Sequence, residues 1–238
     1  RRQRQMCIRD SKKEALKDVN FILEKGVYGL LGENGAGKST LMRILTTVDS
    51  PTSGKVTYNG GNIVDMNEDY RDLIGYMPQE YNVYPAFTAT DFLNYMGTLK
   101  GLSADELRKK IPEVLEFVNL TDVAKKKVRT FSGGMKRRIG IAQAILNDPK
   151  ILILDEPTAG LDPEERIRFS NILSQMAKEK IILLSTHIVS DIEAIANRLI
   201  VIRKGEIVKT GCIDELVEDV EGKVWEVATR QDMLHKVN

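Results

Sequence analysis

Eight consecutive residues near the start of the chain have the order of residue types found in a phosphate-binding loop. They run from Gly32 to Ser39 and satisfy the pattern G-x-x-x-x-G-K-[ST]. Glycines allow backbone N–H groups to curl around phosphate oxygens, and the N-terminus of a following helix adds partial positive charge. Lys38 would supply a charge for the β- and γ-phosphates, Ser39 a ligand for Mg²⁺, and Thr40 a donor to a phosphate oxygen. The residues predicted to bind the nucleotide here are Gly32, Asn34, Gly35, Ala36, Gly37, Lys38, Ser39 and Thr40.

Two adjacent carboxylates, Asp155 and Glu156, follow the apolar run Ile-Leu-Ile-Leu at residues 151–154. Such a run is typical of a buried strand, and ligands of parallel sheets lie beyond the carboxyl ends of the strands. We therefore predict that Asp155 holds Mg²⁺, directly or through water, and that Glu156 polarises the attacking water. Taken alone, the run could be a strand followed by a solvated acidic turn. The phosphate-binding loop upstream favours the catalytic interpretation.

The segments around these motifs alternate between strand and helix patterns. Short apolar runs predict buried strands at residues 27–31, 74–77, 151–154, 181–184 and 199–202. Helical spacing predicts helices at residues 38–45, 89–99, 104–118 and 134–146. Strands outside this alternation are predicted at residues 15–23, 55–58 and 206–209, the first as an antiparallel edge strand and the last in a hairpin. This alternation predicts an α/β fold with a mainly parallel sheet covered on both faces.

Changes of pattern along the chain divide it into parts. Residues 80–129 contain amphipathic helices with no strand between them, which predicts a helical lobe inserted into the core. The nucleotide-binding core is then residues 12–79 and 130–221, and residues 222–238 are predicted to be a truncated C-terminal extension. Residues 1–11 are interpreted as an adapter-derived artefact, because RRQRQMCIRD can be encoded by a common transposase-type sequencing adapter. A native basic arm is the alternative for that segment.

The composition of the chain restricts its partners. Lys plus Arg (35) nearly balances Asp plus Glu (34), so charge gives no reason to predict a nucleic-acid partner. Apolar runs such as residues 151–154 are too short to cross a bilayer, so a membrane role would need a partner chain. The two cysteines suggest no disulfide framework, and no secretory signal precedes the first strand. Together these features predict a cytoplasmic protein.

The segment Phe-Ser-Gly-Gly-Met at residues 131–135 completes a set of motifs. Alone, Ser-Gly-Gly would be a capped helix start. In order, however, the chain has the phosphate loop, Gln79, this segment, Asp155-Glu156, the turn at residues 159–162 and His187. In these elements the chain resembles the nucleotide-binding subunit of ABC transporters over about residues 12–211. Met-Lys-Arg-Arg at residues 135–138 resembles the subgroup that serves exporters of the ABC-2 type.

The resemblance implies a P-loop NTPase with a mainly parallel sheet core, an antiparallel β subdomain and an inserted helical lobe. Its cofactors would be ATP and Mg²⁺, with Ser39, Gln79 and Asp155 as the residues at the metal. Gln79 would also contact the attacking water, and His187 would contact the γ-phosphate and orient that water. The residues implied to be catalytic are Glu156, His187, Lys38 and Gln79.

The resemblance also implies that two copies close head to tail around ATP, most simply as a homodimer. Ser132, Gly133 and Gly134 of one subunit would meet the γ-phosphate held by the other, and Asp162 would contact the other subunit near its phosphate loop. A separate membrane permease would dock near Gln79, with residues 81–87 as the contact. The protein would then be an export ATPase, peripheral on the cytoplasmic face of the cell membrane.

Some positions depart from the family pattern. Phe131 and Met135 stand where leucine and glutamine are common. The family usually has an aromatic residue that stacks on adenine about seven residues before Lys17, and Asp10 occupies that position here. Two other functions remain open from the sequence: a soluble ABC ATPase acting in DNA repair, translation or cofactor assembly, and a regulatory module that binds ATP without turnover.

Overall fold

The computed structural model describes residues 6–10, 13–80, 83–187, 195–196 and 198–218. In these residues the strands are β1 Met6–Asp10, β2 Lys13–Leu16, β3 Gly26–Leu31, β4 Ser53–Gly54, β5 Thr57–Tyr58, β6 Gly61–Asn62, β7 Ile74–Met77, β8 Ile151–Asp155, β9 Ile181–Thr186, β10 Arg198–Arg203 and β11 Glu206–Cys212. The α-helices are α1 Lys38–Leu45, α2 Ile63–Met66, α3 Glu68–Asp72, α4 Ala89–Leu99, α5 Ala104–Phe117, α6 Gly133–Ile145, α7 Pro163–Met176 and α8 Ile213–Glu218. Two short 3₁₀ turns lie at Thr121–Val123 and Val128–Thr130.

A six-stranded sheet forms the centre, with the strand order β11-β10-β3-β9-β8-β7. The pairs from β10 to β7 are parallel, and β11 pairs antiparallel with β10 through a tight turn at residues 204–205. The mainly parallel α/β fold predicted from the sequence is therefore confirmed. This order places the ends of β3, β8 and β9 side by side, at the edge where the phosphate loop also begins.

Apolar side chains cover both faces of this sheet. Along β8, Leu152 and Leu154 point into a cluster shared with α4 to α7, whereas Ile151 and Ile153 point into a second cluster shared with α1. Successive strand residues face opposite sides, so a strand buried on both sides must be apolar throughout. That is why the sequence pattern at residues 151–154 is continuous rather than alternating.

The first part of the chain forms a smaller antiparallel sheet with the order β2-β1-β4, beside the β5-β6 hairpin. Asp10 pairs with Lys13 in this sheet, so the segment with the adapter-like sequence forms strand β1. The interpretation of its origin stays a prediction. Residues 1–5, 11–12 and 222–238, on which predictions were also made, lie outside the described residues.

The prediction of one strand over residues 15–23 is wrong beyond Leu16. The backbone leaves the strand conformation at Asp18, which has φ of +44°, and the N–H of Lys17 donates to the carbonyl of Gly205 at 2.7 Å. Burial still follows most of the alternating pattern, because Val19 is buried and Asn20 is exposed, although the apolar Ile22 is exposed as well. Alternation thus indicated an extended segment lying on the core, without the pairing that makes a strand.

The helices of residues 80–129 begin where local capping predicts. Thr88 and Asp91 form a capping box at the start of α4, and Ser103 and Glu106 form another at the start of α5. Further along, Ser132 caps α6, with its Oγ accepting from the N–H of Met135 at 3.2 Å.

No helix in the described part of the chain is both long enough and apolar enough to cross a membrane.

Candidate functional site

The phosphate loop joins the end of β3, a strand with a buried centre, to the start of α1. Gly37 caps α1 with φ of +111°, and a Cβ there would lie 2.8 Å from the carbonyl oxygen of Ala15. Both the backbone angle and the close approach therefore require glycine. Lys38 is buried, and its ammonium donates to the carbonyls of Gly32 at 2.5 Å and Glu33 at 3.0 Å. An ammonium has three donors, so the loop holds Lys38 in place and leaves one donor for an anion.

An open cleft of about 880 Å³ lies over this loop, a size within the usual range for small-molecule sites. We call it the phosphate-loop cleft. It is lined by Glu14, Ala15, Lys17, Asn34, Gly35, Gly37, Lys38, Ser39, Thr40, Gln79, Asp155, Glu156, Lys204 and Gly205. The structure thus brings the phosphate loop, Gln79 and both carboxylates to one cavity. Glu14, Lys17 and Lys204 were not predicted, because their positions carry no recognisable motif.

Asp155 ends β8 and is almost completely buried. Its Oδ1 accepts a hydrogen bond from the hydroxyl of Ser185, which lies opposite it in the neighbouring strand β9. Burial raises the pKa of Tyr76 to about 12, with a smaller contribution from the nearby Asp155 carboxylate. Asp155 and Ser39 line the same cleft, and one carboxylate with a hydroxyl and substrate phosphates is a donor set that suits Mg²⁺.

Glu156 adopts φ of +51°, an uncommon backbone conformation for a residue with a side chain. Its N–H donates to the Oγ of Ser185 at 3.0 Å and to the carbonyl of the same residue at 3.2 Å. Its carboxylate Oε1 lies 2.9 Å from Nδ1 of His187. The side chain of His187 is half exposed, whereas that of Glu156 is only 11% exposed. The structure therefore joins two residues that the sequence analysis assigned separate roles.

The predicted cross-subunit residues lie elsewhere. In the part of the chain that the structure describes, Ser132, Gly133 and Gly134 do not line the phosphate-loop cleft, and Ser132 and Gly133 are exposed. Asp162 caps α7, its Oδ1 accepting from the N–H of Glu165 at 2.8 Å. The exposed N-terminus of α6 offers backbone donors with partial positive charge, which suits an anion brought by another molecule.

Two buried residues that sequence reasoning missed support this region. Ser185 connects Asp155 with Glu156, as described above. Arg137, on α6, donates to the carbonyls of Gln79 and Asp155. Ser185 precedes His187 by two residues at the end of an apolar run, which is a signal that a search for polar strand ends could use. For Arg137 no such signal exists, because a basic residue after Ser-Gly-Gly resembles an ordinary surface position.

Comparison with known proteins agrees with this geometry. A family model described as "ABC transporter" matches residues 16–159. The chain is 39% identical over 221 residues to the uncharacterized ABC transporter ATP-binding protein YxlF of Bacillus subtilis (strain 168), covering 92% of this chain and 73% of that protein. It is 38% identical over 213 residues to the linearmycin resistance ATP-binding protein LnrL of the same organism, covering 89% and 68%. A solved dimeric, post-hydrolysis structure of the ATP-binding cassette MJ0796, bound to ADP and Pi, is similar with a TM-score of 0.80 and 26% identity, covering 89% of this chain and 98% of that one.

Proposed function

The chain belongs to the ATP-binding proteins of ABC transporters, and from that membership we propose that it hydrolyses Mg²⁺-ATP in the phosphate-loop cleft to power export through a separate permease. The membership confirms the resemblance inferred from the six motifs, and with it the assignment as an ATPase subunit of a transporter. One observation supports the site most directly. Lys38, Ser39, Gln79, Asp155 and Glu156 line a single cavity, although they come from distant parts of the chain.

In the proposed site, the loop amides and Lys38 bind the β- and γ-phosphates. Ser39, Asp155 and Gln79 would hold Mg²⁺, which when bound neutralises charge on the phosphates. The chain's own contribution is a rigid frame, because Lys38 is tied to two loop carbonyls and Asp155 to Ser185. Little reorganisation is then needed when the triphosphate binds.

Glu156 is the proposed acceptor for a proton of the attacking water. His187 contacts the Glu156 carboxylate, so it can hold that carboxylate in one rotamer and donate to it or to the γ-phosphate. The unusual backbone of Glu156 is supported by two hydrogen bonds to Ser185. We infer that this backbone angle turns the carboxylate from the strand end into the cleft.

Two copies would complete each site. The similarity to a solved dimeric cassette supports a dimer, and one full set of motifs in this chain permits a homodimer. Ser132 and Gly133 are exposed and Gly134 is half-buried at the start of α6, where a second subunit could present its ATP. Asp162 is proposed to contact the partner subunit while it also caps α7.

The proposed permease contact lies at the start of the helical segment. Tyr84 stacks on Phe87 with ring centroids 5.1 Å apart, and Tyr95 contacts both rings edge-on. Tyr84 is 47% exposed and Tyr95 38%, so this aromatic cluster offers an apolar surface. Of the predicted contact at residues 81–87, Tyr81 and Asn82 lie outside the described residues. Docking there would keep the protein peripheral, on the cytoplasmic face of the cell membrane.

The experiment that tests this function has two parts. The purified protein should hydrolyse ATP when Mg²⁺ is present, and Lys38→Ala should abolish nucleotide binding. Co-expression with a candidate permease should hold the chain on membranes and make ATP turnover respond to that permease. ATP turnover that no membrane protein influences would instead favour the non-transport alternative, which the relatives do not support. ATP binding without turnover would favour the regulatory module.

A further inference from the structure

Arg137 is buried in the middle of the molecule, although it belongs to a basic run that would ordinarily face solvent. It lies on α6, the helix that Ser132 caps, and only 9% of its surface is exposed. Arginine is rarely buried unless its guanidinium is paired or hydrogen-bonded, so the groups bonded to Arg137 indicate its role.

The guanidinium connects two strand ends. Its Nη1 donates to the carbonyl of Gln79 at 2.9 Å, and its Nη2 donates to the carbonyl of Asp155 at 2.8 Å. Asp155 ends β8, and Gln79 follows β7, the parallel neighbour of β8 in which Met77 lies opposite Leu154. One acceptor therefore lies at the end of β8 and the other just beyond the end of the adjacent strand β7, and the planar fork of arginine can reach both. Lysine has the same charge but no such fork.

The two bonded carbonyls belong to Gln79 and to Asp155, the residue before Glu156, and Gln79 and Glu156 are the residues proposed to contact the attacking water. The Gln79 side chain lines the phosphate-loop cleft, and Glu156 follows Asp155 directly. We propose that Arg137 is a positioning residue for hydrolysis, which holds Gln79 and Glu156 at a fixed separation around the attacking water. This inference rests on the proposed function, since it assumes the roles given to Gln79 and Glu156. The same side chain links α6, whose N-terminus faces outward, to the hydrolytic end of the sheet.

A second buried residue of α6 provides a matched control. The Nε2 of Gln143 donates to the carbonyl of Tyr76 at 2.8 Å, and Gln143 is also buried. It therefore also bonds a backbone carbonyl from α6, but this carbonyl lies within β7 rather than beyond the strand end. Loss of this bond should destabilise the fold without moving Gln79 or Glu156.

The test compares Arg137→Lys, Arg137→Gln and Gln143→Met in the full-length chain. For each, one measures thermal stability, the affinity for a fluorescent ATP analogue and the steady-state kcat of ATP hydrolysis. Small misplacements of a reacting group can cost about 100-fold in rate, so both Arg137 variants should lose roughly tenfold or more in kcat while ATP affinity stays within about threefold. Gln143→Met should lose stability and keep kcat within about threefold. If Arg137→Gln does not fold, Arg137→Lys alone decides.

A double variant separates positioning from a general weakening of the fold. If Arg137 acts through Glu156, Arg137→Lys should cost less than about threefold when added to Glu156→Gln, measured in single-turnover reactions. The inference is overturned if the Arg137 variants keep wild-type kcat, or if they lose activity only in proportion to stability as Gln143→Met does. It is also overturned if the rate losses of Arg137→Lys and Glu156→Gln multiply in the double variant. Wild-type turnover in Glu156→Gln alone would instead overturn the proposed function, and this inference with it.

Discussion

The sequence assigned no role to Ser185, but its contacts in the structure predict a clear effect of substituting it. It is completely buried, it donates to the Asp155 carboxylate, and it accepts from the N–H of Glu156 at 3.0 Å. Ser185→Ala removes both bonds while adding no bulk. The Glu156 N–H keeps its bond to the Ser185 carbonyl at 3.2 Å, whereas the buried Asp155 oxygen loses a donor.

The size of the effect follows from these contacts. A hydrogen bond to a charged group contributes about 1.5–3 kcal/mol, so Ser185→Ala should lower the free energy of unfolding by about that amount. For a chain of this length each kcal/mol corresponds to about 2–4 °C, which predicts a fall in Tm of about 3–12 °C. Because Glu156 depends on Ser185 for its backbone angle, kcat should also fall by roughly tenfold or more.

Thermal unfolding and steady-state ATP hydrolysis measure the two effects. Thr46→Val is the control, since the buried Thr46 hydroxyl donates at 2.9 Å to the neutral carbonyl of Met42, at the opposite end of α1 from the phosphate loop. It should cost about 1 kcal/mol or less and leave kcat unchanged. The reasoning is refuted if Ser185→Ala is as stable and as active as Thr46→Val.

Four further predictions can be checked directly. Glu156→Gln should bind ATP, stop turnover and accumulate as a dimer on size-exclusion chromatography; a monomer that still turns over would count against its role. Ser132→Arg should bind ATP but fail to dimerise, and a dimer formed by this variant would contradict the cross-subunit site. Asp10→Tyr should bind ATP more tightly by about 1–3 kcal/mol, or roughly 5–150-fold in calorimetry, whereas equal affinity would exclude stacking on adenine at this position. Burial lowers the pKa of Lys100 to about 8 from an ordinary 10.5, so the unfolded chain binds more protons between these values. The free energy of unfolding should therefore rise with pH across that window in denaturant titrations, and Lys100→Met should flatten the rise.

Local features of the sequence were sufficient for the elements whose ends have their own signals. The predictions for residues 38–45 and 89–99 match α1 and α4, because a glycine loop opens one and a Thr-x-x-Asp box opens the other. Residues 17–23 show the limit of this reasoning. There burial follows the expected pattern except at the exposed Ile22, yet the pairing partner decides whether an extended segment is a strand, and pairing depends on distant residues such as Gly205.

The same limit explains which parts of the site could be predicted. The residues of the phosphate loop follow one another in sequence, and so do Asp155 and Glu156, so the chemistry of each motif could be inferred before the fold was known. By contrast, Ser185 meets Asp155 only because β9 lies beside β8 in a register that sets these two residues opposite each other. Arg137 reaches its two acceptors only because β7 is the other neighbour of β8.

Strand order therefore has a direct consequence for catalysis. With β8 between β7 and β9, the proposed hydrolytic end of the strand is held from both sides: Ser185 holds the Asp155 carboxylate, and Arg137 holds its carbonyl. Glu156 is the next residue, so its position is also fixed by the bonds that Ser185 and Arg137 make to Asp155. Removing either support should affect turnover more than ATP affinity, because Lys38 is held by bonds within its own loop, to the carbonyls of Gly32 and Glu33, and these bonds involve neither Ser185 nor Arg137.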